Sequence, residues 1–140
     1  MIKDRLRAMR SRIREAQQLR GQLVTLEARM YNPRAQKYTA MPHGSGGDGH
    51  SMDDLTIIHI ELMDAYRQSL AAIEREQLAL EQALTVLSPE QRMVIRYRYF
   101  DLLAWEDVCD RIHYSWRQTH YIHSAALKAL EAAENNSPEA

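Results

Sequence analysis

Residues 87–130, LSPEQRMVIRYRYFDLLAWEDVCDRIHYSWRQTHYIHSAALKAL, read as three short helices with marked ends. Ser88 can cap a helix that opens on Pro89, and Gln91 stands where a side chain reaches back to the cap. This helix should run to about Tyr99. A second spans Trp105 to Ile112, with Glu106 and Asp107 near its positive end and Val108, Cys109 and Ile112 facing inward. His113-Tyr114 makes the turn, and Ser115 with Gln118 repeats the capping-box spacing at the start of the third. There Ile122, Ala126 and Leu130 recur every four residues, with Thr119 upstream and Leu127 beside them, so one stripe can sit on a core.

The opposite face of that helix is large and hydrogen-bonding. Two helices joined by a short turn, the second with such a face, have the layout of a helix-turn-helix. A helix of this kind fits the major groove and presents its first turns to base edges. The candidate DNA-binding residues are Ser115, Trp116, Arg117, Gln118, His120, Tyr121, Ser124 and Lys128. Arg117 can donate two parallel bonds to guanine, whereas Trp116, His120 and Tyr121 suit thymine methyls, sugars or phosphates. Trp105 is expected between the helices of the motif, and Tyr99 in the core.

Outward from this segment the chain is helical. Ile2, Leu6, Met9, Ile13, Ala16, Leu19, Leu23, Leu26 and Met30 step by three or four, which predicts a basic helix over 1–31 stopped by Asn32-Pro33. An acidic helix is expected over 52–87, with Leu55, Ile58, Leu62, Tyr66, Leu70, Ile73, Leu80, Leu84 and Leu87 as its inner edge. Helices this long need a partner along the apolar stripe, so an antiparallel hairpin or coiled coil should precede the helix-turn-helix domain at 88–133. Residues 32–51 hold four of the five glycines and read as a flexible loop; 134–140 read as a disordered tail. Whether that loop lets the helices fold back within one chain or swap between two is open. The fold class is therefore all-α.

A net charge of −1 conceals segregation: residues 1–38 carry ten Lys or Arg and three acids, residues 48–90 two Arg and nine acids. Helices of opposite sign suit antiparallel pairing, so much of the N-terminal charge is expected to be neutralised internally rather than offered to DNA. No carboxylate pair, nucleophile-base set or fixed metal cluster appears at useful spacing, so neither an enzyme nor a cofactor is expected. His43, Asp48 and His50 lie in the loop without a rigid element to aim them, and His120 with His123 lacks a carboxylate or thiolate neighbour. Cys109 has no second cysteine, no apolar run reaches the length of a membrane span, and no signal peptide is visible, so a cytoplasmic location is expected.

At residues 87–130 the sequence resembles region 4 of the bacterial sigma-70 family. The matching positions are Leu87, Ser88, Pro89 and Arg92; Arg98, Tyr99 and Phe100; Asp107, Val108 and Cys109; then Ser115, Ile122, Ala126, Leu127 and Leu130. Ala104, His113, Gln118 and His120 depart from that pattern, and no promoter-melting region accompanies it. With MPHGSGGD ahead of the second long helix, the chain is similar to small phage regulators of the ArpU and RinA type. The resemblance implies control of late phage or prophage transcription at the host nucleoid, with double-stranded DNA and host RNA polymerase as partners. A homodimer through the long helices is expected, since two half-sites multiply the contacts of one weakly basic module. The alternatives are a DNA-packaging adaptor resembling a terminase small subunit, and a polymerase- or sigma-binding protein without DNA readout.

Overall fold

The computed structural model describes residues 1–31 and 52–136, and among them the protein is all-α. The helices are α1 (Ile2–Tyr31), α2 (Met52–Ala83), α3 (Pro89–Ile95), α4 (Trp105–Ile112) and α5 (Trp116–Asn136), with a 3-10 turn at Leu84–Val86. The glycine-rich connection, with His43, Asp48 and His50, lies outside the described residues, as do 137–140. Residues 134–136, expected in a disordered tail, continue α5 instead.

The helices form because their apolar positions recur at helical spacing. Of the nine on α1, seven are buried and Ile13 and Leu19 half-buried. On α2 the inner edge is buried at Leu55, Ile73 and Leu80, whereas Leu70 stands at the surface. The two helices run antiparallel, since Arg5 pairs with Glu76 (2.8 Å) and, further along α1, Glu27 pairs with His59 (3.0 Å).

The described chain divides into two compact units, Met1–Arg14 with Ala72 onward, and Glu15–Ala71. The division falls inside α1 and α2 rather than at residue 88, because the first turns of α1 are tied to the C-terminal half. Ile2, Leu6 and Met9 are buried there, and the Ile2 amide, an orphan donor of the first helical turn, donates to Glu134 (3.2 Å). Leu80, Leu84, Val94, Ile95, Val108, Thr119 and Ala126 complete this unit's solvent-free interior. In the other unit Leu26, Met30 and Leu55 form a smaller cluster, flanked by half-buried Ile58 and Leu62.

Ser88 and Gln91 make the expected reciprocal cap: each side chain accepts from the other residue's amide (3.2 and 3.1 Å). The α-helical span of α3 ends at Ile95, but the helical winding continues to Phe100, close to the expected end at Tyr99. The chain then widens into a turn over Arg96–Phe100, where the Asp101 amide donates to Arg96 O (2.9 Å), a five-residue span. Leu102 follows in the left-handed region (φ 59°) and turns the chain into α4.

Candidate nucleic-acid interface

The turn between α4 and α5 is built from two backbone devices. His113 ends α4 at φ 61°, ψ 37°, the left-handed conformation that commonly closes a helix, and Tyr114 N donates back to Cys109 O (3.3 Å). The Ser115 hydroxyl then accepts the Gln118 amide (3.1 Å), capping α5. α4 has no such side-chain cap, since Ala104 supplies only its carbonyl to Val108 N (3.0 Å). Tyr114 ties the turn to α3 by donating to Glu90 (2.8 Å), and that bond raises the phenol above its usual pKa. Beneath, Val94, Val108 and Ile122 form the core, with Leu103, Ile112 and Trp105 packed against them.

This frame buries Thr119, Ile122, Ala126, Leu127 and Leu130 and leaves the far side of α5 free. Arg117, Tyr121, Ser124 and Lys128 are exposed at spacings of four, three and four, which align them along one stripe. Ser115, Trp116 and Gln118 are exposed at its N-terminal end, and Tyr121 is 74% exposed. His120 stands apart from the other seven. It is half-buried, with its ring against Trp105 (4.3 Å between centroids) on one hand and Trp116 (4.4 Å) on the other, and its Nε2 is buried without a hydrogen-bond partner. The reason is angular: position 120 lies beside the apolar stripe, so the ring fills the seam that Trp105 opens.

Trp105 lies between the helices as expected. The Arg98 guanidinium rests over its ring (4.7 Å), and His123 meets it edge-on (4.7 Å). Tyr99 is buried, and its hydroxyl pairs with His123 Nε2 (2.8 Å). Burial, followed by the neighbouring His120 imidazole and the positive Arg98, Lys3 and Arg7, pushes His123 down to about 4, so the His123 imidazole is neutral at neutral pH. Burial also raises the Tyr99 phenol.

The expected neutralisation of α1 by α2 comes, among the described residues, to one arginine–glutamate pair. Arg5 meets Glu76, but Arg7 and Arg14 have no ion-pair partner among the described residues, and Arg10 gives its Nε to the Arg98 carbonyl (3.1 Å). Read from the sequence, Arg7, Arg10 and Arg14 have no role, Arg98 belongs only to the family resemblance and His123 only to a rejected metal pair; the available signal was the spacing of 7, 10 and 14, one step around from the apolar stripe.

Among the described residues no group of three His, Cys, Asp or Glu is placed to hold a metal, and no helix is long and apolar enough to cross a membrane. No protein-family model matches the chain, and no curated protein or solved structure matches it.

Proposed function

We propose that the protein is a sequence-specific DNA-binding regulator of transcription that lays the N-terminal half of α5 in the major groove. One observation carries the reading: Arg117, Tyr121, Ser124 and Lys128 form an unobstructed stripe on a helix fixed from behind by its own core and by a capped, tight turn. Arg117 has the fork geometry that reads guanine; Trp116, Gln118 and Lys128 serve the flanking sugars and phosphates. His120 acts indirectly, holding Trp116 at the end of the stripe. Assignment to phage or prophage late genes, in a bacterial cytoplasm with host polymerase nearby, rests on the resemblance of residues 87–130.

A dimer belongs to the same reading. Ile57 and Ile60 on α2 are 55% and 61% exposed one turn apart, and a second copy covering them would supply the second half-site. Ring-sized assemblies in light scattering would replace regulator by packaging adaptor.

The test is footprinting across the late promoter region next to the gene. Arg117→Ala should weaken protection by about 1–3 kcal/mol with unchanged helicity, and Lys128→Ala should weaken all sequences alike and lower the salt dependence. Equal binding by the wild type and Arg117→Ala would refute readout by this face.

A further inference from the structure

Beside the helix-turn-helix, on the flank of α5 that carries His123, lies a cleft of about 360 Å³. Its walls are Arg7, Arg10, Ser11 and Arg14 of α1, Arg98 and Tyr99 of the wide turn, Trp105 and His123. Four guanidinium groups meet there, and no wall residue is acidic. Like charges so gathered repel one another: burial and then the neighbouring Arg98 and Arg14 lower the pKa of Arg10. A folded protein keeps such a cluster at a cost unless an anion relieves it.

The four arginines divide into a fixed floor and a free rim. Arg98 is immobilised by its bond to the Leu103 carbonyl (3.1 Å) and by the Trp105 ring beneath it. Arg10 is anchored to the Arg98 carbonyl, which the wide turn leaves without an intrahelical donor. Arg7 and Arg14, at i and i+7 on α1, are exposed and have no ion-pair partner among the described residues. A rigid, positively charged base under two adaptable forks is a receptor for an anion with several oxygens. Guanidinium forks bind phosphate oxygens in bidentate pairs, so phosphate answers this geometry better than a single carboxylate. The volume falls at the small end of the range for clefts that enclose a free ligand, which favours a compact polyphosphate over a polymer.

We propose that this cleft is a binding site for a small phosphorylated anion, of the charge and size of a pyrophosphate group, held by Arg7, Arg10, Arg14 and Arg98. The site shares no lining residue with the reading face and does not rest on DNA binding. Ser11 supplies a hydroxyl donor at the rim, and the Tyr99–His123 pair forms a neutral wall that leaves the positive field of the arginines unopposed.

Calorimetric titration of the full chain with sodium pyrophosphate, with ionic strength held constant by sodium chloride, tests this. The wild type should bind one equivalent. Arg7→Gln/Arg14→Gln should bind about tenfold more weakly or worse, the loss expected for two charge-assisted contacts. Arg12→Gln, on the other flank of α1, should match the wild type. A second readout is the His123 imidazole followed by NMR, whose pKa should rise when the anion is bound and also in unliganded Arg7→Gln. No heat with pyrophosphate, or equal binding by wild type and double variant, would overturn the proposal. So would a pattern in which only duplex DNA responds to the double variant, since the arginines would then be backbone contacts. Loss of promoter protection in Arg117→Ala with pyrophosphate binding intact separates the fate of this site from that of the reading helix.

Discussion

The two compact units are made of the same amphipathic helices but differ in how the helices are held. In the unit of Met1–Arg14 and Ala72 onward, buried side chains arrive from all five helices and are joined by caps, a left-handed turn and a ring cluster around Trp105. Among the described residues of Glu15–Ala71 there are two helices, of their side chains Leu55 alone is wholly buried, and Val24, Ile57 and Ile60 face solvent. A pair of helices can bury only one stripe each, so the second unit has less apolar burial to oppose its conformational entropy. It is the part that should open first, and it is also where a second copy would contribute most.

The largest effect expected of a single side chain follows from this contrast. Leu84→Ala, in the solvent-free interior of the first unit, should lower unfolding free energy by about 2–5 kcal/mol in urea titration, with Leu26→Ala near the low end because its half-buried neighbours can close the gap. Hydrogen exchange in parallel should show faster exchange in 15–31 and 52–71 than in 89–130. Uniform protection across both would end the comparison.

Next in size is acid sensitivity confined to the first unit. His123 has a folded pKa of about 4 against an ordinary 6.5, so the native state resists the proton that the unfolded chain accepts. Its contribution is complete above about pH 6.5 and is lost as pH falls toward 4. With allowance for solvent screening of a ring that is not fully buried, the loss should be about 1–2 kcal/mol. His123→Gln should flatten the decline between pH 6.5 and 5, and identical slopes for variant and wild type would exclude this imidazole as the cause. The smallest effect is a gain. His113→Gly should stabilise by about 0.5–1 kcal/mol in thermal unfolding, because glycine takes the left-handed turn without the side-chain clash, less its own entropy. A loss there would mean that the imidazole contributes more than the turn costs.

Much of this architecture was legible because it is local. Ser88, Pro89 and Gln91 define a helix start within four residues, Ser115 another, and the three-to-four spacing of Leu6, Met9, Leu23 and Leu80 declares which sides are buried. The exposed stripe of α5 followed from the same periodicity, except at His120, whose burial depends on the placement of Trp105 on another helix. The wide turn at Arg96–Phe100 was not legible. Its sequence RYRYF continues a helical pattern, and the change of hydrogen-bond span is tied to where Tyr99 and Arg98 find partners, at His123, Leu103 and Arg10. The arginine cleft was hidden for the same reason, since it joins positions 7 to 14 with 98, 105 and 123. Summing charge along the chain suggested cancellation, whereas the two flanks of α1 have different neighbours.

The chain has only two tryptophans, and both pack against the His120 ring of α5. Trp105 lines the arginine cleft, while Trp116 stands at the head of the exposed stripe. Indoles this close exchange excitation, so it is replacing Trp116 by phenylalanine that would leave emission from the cleft alone. Fluorescence of the two single-indole forms would then watch both surfaces independently, without an attached dye.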